Sequence, residues 1–280
     1  MSIRRHLGPL LFAVVSLIAP VAGVTGCAGP IHSKEGAFEA RTVPQRIGGR
    51  DLRVTYVTPV TPRTRQVLIL FASGDAGYWG VSGAVIEHLA DEGYYLVTYD
   101  ARQLIAREKK SHTRAKIREA EAVFDTMLVD ARRSLGIADS VPVLMTGYSR
   151  GANVVVLSAG IESLRHHLAG AVAIALCPTT DYLEKPTPKD PLSSVLVDDK
   201  GHLQTYAAIP LAGSLPFAVI QGSKDSYIGA EKARQLFGPD TPRRRFYTVE
   251  GSHTFGGARD TLMRDLDDAL AWIQGIAGAN

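Results

Sequence analysis

The 280-residue chain is poor in cysteine. It has two, Cys27 and Cys177, so a scaffold stapled by several disulfides is excluded. Cys177 closes an apolar run and reads as a small packed hydrophobe rather than a reactive thiol. A surplus of charge is also missing. The formal net charge is +3, and without residues 1–26, which hold Arg4 and Arg5 but no Asp or Glu, 29 basic residues face 28 acidic ones. Such a balance gives no electrostatic footprint for nucleic acid and no polybasic membrane patch. There is no internal repeat, no linker after residue 38, and no metal-ligand, phosphate-binding or nucleotide motif, so neither a metal nor a cofactor is expected.

What is present begins at the N-terminus. Two arginines precede a mostly apolar stretch from Leu7 to Val24, and small residues then lead to Cys27. This is the n-, h- and c-region order of a secretory signal. Pro9, Pro20 and the internal glycines argue against a membrane-spanning helix, which needs roughly 20 predominantly apolar residues. Residues 1–26 are therefore expected to be a signal peptide. The tetrapeptide "VTGC" resembles the lipobox of bacterial lipoproteins, which implies lipidation at Cys27 and a tether over 27–37. Export to the periplasmic face of a bacterial membrane follows from that reading.

Residues 38–280 alternate. Two strands are expected near 38–43 and 51–58 around the turn signal "IGGR". "QVLILFAS" (66–73) is a continuous apolar run, the pattern of a strand buried on both faces. A helix over 79–92, a strand over 94–100 and a long amphipathic helix near 114–136 follow. Then come a strand (141–147), a helix (150–161), a strand (170–178), an aperiodic proline-bearing stretch (179–214), a strand (215–222), a helix (229–237), a strand (244–251) and a closing helix (258–274). Strands alternating with helices imply βαβ units, so the expected fold is α/β, a mainly parallel central sheet flanked by helices with an antiparallel leading edge. The stretch 179–214 is expected to be an irregular cap, because long segments without their own periodicity are commonly functional.

Ligands of open parallel sheets sit beyond the C-terminal strand ends. At one of these ends lies "TGYSRGAN", a Gly-x-Ser-x-Gly pattern between a strand and a helix. The pattern fits a nucleophile elbow, in which Gly147 and Gly151 leave room for a tight turn that exposes the Ser149 hydroxyl. A base for that hydroxyl is expected among the eight histidines. His6 lies in the signal, His32 in the tether, His88 in a helix, His112 in a polar loop and His202 in the excursion. His166 and His167 precede a strand at the wrong end of the sheet. His253 follows the last strand in a glycine-rich loop and is the candidate general base. Asp225 and Asp181 both follow strands and both fit the order Ser…Asp…His. Asp225 is the first candidate for the orienting carboxylate because it lies nearer its strand end, and Asp181 is the second. Two backbone donors are expected to face an oxyanion: the N–H of Arg150 and one from "SGDAGYWG" (73–80), with Asp75 chosen over Gly74 and Ala76.

Together these segments resemble an α/β-hydrolase. "FASGDAGYW", "TGYSRGANV" and "VEGSHTFGG" further resemble the bacterial virulence protein family VirJ and the AcvB C-terminal domain. Ala76 and an additional Tyr78 before Trp79 depart from that family's loop, and "ARQLIAREKK" after Asp100 lacks its aromatic pair. The resemblance implies a periplasmic serine hydrolase with aminoacyl-phosphatidylglycerol as substrate class. The residues themselves point to a carboxylic ester hydrolase working through an acyl-enzyme. A general carboxylesterase, an acyltransferase and a non-catalytic binding lipoprotein on the same scaffold are the alternatives.

Overall fold

The structure, a computed structural model, describes residues 31, 36–47, 50–104, 117–181, 185–190, 192–195 and 197–278. Cys27 and the expected signal peptide lie outside the described residues, as do most of the tether and the two glycines of the "IGGR" turn.

An eight-stranded sheet forms the centre. β1 (Phe38–Ile47) and β2 (Arg50–Pro59) pair antiparallel in continuous register, and β2 pairs antiparallel with β4 (Tyr95–Tyr99). β3 (Leu68–Ala72), β5 (Val143–Tyr148) and β6 (Gly170–Ile174) then run parallel, in the order β4-β3-β5-β6. β7 (Thr179–Thr180) and β8 (Leu203–Gln204) form a separate small ladder. β9 (Phe217–Lys224) and β10 (Arg244–Ser252) complete the main sheet, giving β1-β2-β4-β3-β5-β6-β9-β10. Pro44 sits in β1, where the edge position spares a ladder hydrogen bond.

Both faces of the sheet are covered, which explains its unbroken apolar runs. In β3, Leu68, Leu70 and Ala72 join one buried cluster while Ile69 and Phe71 join the other. The first cluster is closed by α2 (Ile117–Leu135), α3 (Arg150–Gly160) and α6 (Ala230–Phe237), numbered in chain order with α1 (Val81–Asp91), α4 (Glu162–Arg165), α5 (Thr205–Ala208) and α7 (Arg259–Gly278). α1 and α7 close the second. α1, α6 and α7 each give one stripe to the sheet, as an amphipathic helix must, whereas α3 is buried on every side between the sheet and the excursion. Among the described residues, no helix is long and apolar enough to cross a membrane.

Two expectations are corrected in extent. The strand placed over 170–178 leaves the ladder at Ile174, because Ala175 takes φ +51°, a left-handed backbone that breaks extended structure. Its N–H still donates to Ile220 O at 2.8 Å. The stretch 179–214 also holds more order than its lack of period suggests. Leu192, Val195, Leu203, Tyr206 and Ile209 are buried in the cluster with α3, and Gly160 of α3 sits against Leu192 and Leu211. The described excursion therefore packs largely on α3, and both its first residues and Leu203–Tyr206 reach the sheet's C-terminal edge, where Thr205 N–H donates to Pro178 O at 3.0 Å and Tyr206 OH to Leu176 O at 3.3 Å.

Candidate active site

β5 delivers the elbow. Ser149 has φ +56° and ψ −117°, a conformation that L residues seldom adopt, and its N–H is held by Ile174 O at 2.8 Å. The flanking glycines are steric necessities. A Cβ on Gly147 would lie 2.5 Å from the carbonyl of Gly151, and one on Gly151 would lie 1.9 Å from Ala72 O in β3. Ser149 opens α3, so its side chain stands at a helix N-terminus whose first amides have no intrahelical acceptor.

His253 Nε2 lies 2.9 Å from Ser149 Oγ, and His253 Nδ1 lies 2.7 Å from Asp225 Oδ2. The histidine reaches this position because the last strand breaks its register. Between Val249 and Ser252 the β9–β10 ladder shifts, and Gly222 lets Gly251 O and Ser252 O come close, 2.7 Å from where a Cβ would stand. Beyond the histidine, Phe255 at φ +51° is fully buried and anchors the loop. Tyr148 OH donates to His253 O at 3.0 Å, tying the same loop to the elbow.

Asp225 has a fully buried side chain. A buried carboxylate requires donors, and it has them. Gln221 Nε2 donates to Oδ2 at 2.9 Å and the Tyr227 N–H to Oδ1 at 2.9 Å. Gln221 Nε2 also donates to Ile228 O at 3.0 Å, which holds the amide in place. Gln221 was absent from the sequence-based set. Its signal is a lone amide inside the apolar run "LPFAVIQG".

Asp181, the second candidate for the orienting carboxylate, is not beside His253. It accepts from Arg150 Nη1 at 3.3 Å. The Arg150 side chain also grips Asp75 through Nε to Oδ1 and through Nη2 to Oδ2, the latter at 3.1 Å. The Asp75 carboxylate pushes the guanidinium pKa above its ordinary value. Gly74 brings the loop after β3 against the elbow, since a Cβ there would stand 2.9 Å from the Tyr148 ring and 3.3 Å from Ser149 Cβ. Among the described residues, neither the Arg150 nor the Asp75 backbone N–H meets an acceptor.

These groups border a cleft of about 200 Å³, lined by Asp75, Ser149, Arg150, Asn153, Cys177–Asp181 and Tyr227. The Tyr227 ring lies 4.7 Å from the His253 ring. Burial pushes the Cys177 thiol up to about 11, so it is protonated near neutrality and a poor nucleophile. The other described histidines stand apart from the cleft. His88 pairs with Asp267 at 2.9 Å, His166 with Glu162 at 3.7 Å and His202 with Asp198 at 3.2 Å, while His167 lies near the N-terminal end of β6. His6, His32 and His112 lie outside the described residues.

No protein-family model and no curated protein matches the chain. Solved structures do. The Pyrococcus furiosus esterase Pf2001 superposes with a TM-score of 0.61 at 16% identity, covering 88% of this chain and 97% of that one. Est1E from Butyrivibrio proteoclasticus superposes at 0.54 and 14% identity, covering 84% and 99%. An alpha-beta serine hydrolase homologue from Coxiella burnetii superposes at 0.54 and 15% identity, covering 85% and 98%. At such identities the likeness is one of fold. Taken with the strand order and the helices on both faces, it establishes that this chain has the α/β-hydrolase fold.

Proposed function

We propose that the chain is a serine hydrolase of carboxylic esters. The observation that carries this reading is the hydrogen-bonded line from Ser149 through His253 to Asp225, 2.9 and 2.7 Å long, with the serine held at φ +56°. In the proposed cycle, Ser149 Oγ attacks the ester carbonyl while His253 Nε2 accepts its proton. The Arg150 and Asp75 amides receive the oxyanion. The imidazolium then gives its proton to the departing alkoxide, leaving an acyl-enzyme and a free alcohol. Water, deprotonated by the same imidazole, attacks the acyl carbon and releases the acid with Ser149 restored. Asp225 keeps Nδ1 protonated and the ring aligned, and Gln221 keeps Asp225 aligned.

The finer reading is an exported lipoprotein that cleaves the aminoacyl ester of phosphatidylglycerol. It is supported by the three segments that resemble VirJ-like proteins, by the lipobox-like "VTGC", and by a cleft mouth that sets the carboxylates of Asp75 and Asp181 against one guanidinium. A surplus of negative charge suits a cationic aminoacyl group. A lipid on Cys27 and a tether over 27–37, extended to roughly 35 Å, would keep the domain within reach of headgroups on the same surface.

The test is to incubate the protein with simple esters and with lysyl- and alanyl-phosphatidylglycerol in vesicles, beside Ser149→Ala. Release of free amino acid above the variant's level is expected. Brisk turnover of simple esters without amino acid release would remove the lipid assignment and keep the esterase. Absence of both would favour a non-catalytic binding protein.

A further inference from the structure

Arg150 and Asp75 are 75 positions apart, at the first position of α3 and on the loop after β3, yet their side chains meet fork to fork. Two parallel N–H···O bonds between a guanidinium and a carboxylate fix orientation as well as distance. Arg150 is also held by Asp181, beyond β6, and Asn153 one turn later donates to Thr179 O at 3.0 Å. The first turn of α3 is thus tied by side chains to the loops of both neighbouring strands. The same two residues have backbone N–H groups without an acceptor among the described residues; Arg150 directly follows Ser149 in the chain, and Asp75 directly follows Gly74, whose Cβ would stand 3.3 Å from Ser149 Cβ. The loop itself is held at its ends and across its turn, by Ser73 N–H to Tyr99 O at 3.2 Å, Gly74 N–H to Ser82 Oγ at 3.2 Å, Gly77 N–H to Gly74 O at 3.0 Å and Trp79 N–H to Ala76 O at 3.3 Å, whereas the Asp75 peptide is fixed to the elbow through its side chain.

We propose that the Arg150–Asp75 side-chain pair, braced by Asp181, is a strap that positions the two halves of the oxyanion hole. This rests on the serine hydrolase reading. An oxyanion donor acts through its placement relative to charge that exists only in the transition state. Arg150 and Asp75 side chains are therefore positioning groups: they spend their own charges on each other and hold their own amides in place. The elbow position between Ser149 and Gly151 and the loop position after Gly74 would then be coupled, although no chain segment connects them directly.

The experiment measures kcat and KM on p-nitrophenyl acetate for Arg150→Met, Asp75→Asn and the double variant, with melting temperature as a check on folding. Binding of a trifluoromethyl ketone, which forms a tetrahedral adduct at Ser149, is measured in parallel. A loosened donor should lower kcat by about 10- to 100-fold with KM nearly unchanged. Affinity for the ketone should fall by the same factor as kcat/KM. The double variant should lose little more than either single one, because the pair acts as a unit. Asp75→Asn lies on an exposed loop and remains informative if Arg150→Met fails to fold. Unchanged kcat, a loss confined to KM, or fully additive losses would overturn the strap while leaving the hydrolase standing. A wild type with no turnover and no adduct would overturn the hydrolase reading, and the strap with it.

Discussion

Replacing Ser149 by alanine is expected to lower kcat on a simple ester by about a million-fold, to the residue of rate that binding and oxyanion donors alone support. The loss is so large because, in the proposed cycle, Oγ is the atom that forms the acyl-enzyme, and it is the one hydroxyl among the described residues bonded to His253 Nε2. Cys177 lines the same cleft, but burial holds its thiol protonated near neutrality. The fold should be untouched. Alanine keeps the Cβ and therefore the same left-handed strain at φ +56°. The deleted hydroxyl bonds to His253 at 2.9 Å and interacts with the Cys177 thiol, in a cleft that water can enter. The melting temperature should stay within a few degrees, since loss of one such bond costs about 1 kcal/mol. Turnover within tenfold of wild type in a cleanly folded variant would remove Ser149 from the reaction.

Gly151→Ala is expected to have the opposite character, a failure of the fold rather than of the chemistry. The added methyl would lie 1.9 Å from Ala72 O and 2.5 Å from Ala72 C. Both are backbone atoms of β3, in the middle of the sheet, paired on one side with β4 and on the other with β5. No side-chain rotation can relieve the clash. Either α3 lifts from the sheet, exposing Ala152 and Val155, or the central strands part. A cost of about 3 kcal/mol or more follows, against a total of about 5–15 kcal/mol for an ordinary domain. The expected result is insoluble protein or a melting temperature lower by about 10 °C. Gly256→Ala is the control, because its Cβ would meet no atom within 4 Å, and it should melt like wild type. Equal stability of the two variants would contradict the packing described for the elbow.

The fold could be read from the sequence because its cause is local and repeated. Strands buried on both faces must be continuous apolar runs, and "QVLILFAS", "YYLVTYD" and "LPFAVIQG" are such runs, each set between helical stretches or turns. Parallel order then brings to one edge whatever follows each strand. That is why Ser149, Asp225 and His253 share one edge although their positions spread over more than 100 residues. What escaped reading is non-local or conformational. The end of β6 depends on a left-handed Ala175, which no periodicity marks. In the sequence Asp181 and Asp225 are separated only by distance from their strand ends, which favours Asp225. They differ in that Gln221 and the Tyr227 amide stand ready for Asp225, whereas Arg150 stands ready for Asp181. The Arg150–Asp75 pair joins the start of α3 to the loop of a different βα unit, and only the sheet order β3-β5 makes them neighbours.

The central claim is that Ser149 is an activated nucleophile. A fluorophosphonate probe tests it most directly, because its phosphorus accepts only a hydroxyl whose proton a neighbouring base removes, with fluoride departing as the Oγ–P bond forms. Intact mass and peptide mapping should show one adduct per wild-type chain, placed on Ser149, and none on Ser149→Ala. No adduct on the wild type, or equal labelling of the alanine variant, would contradict the account.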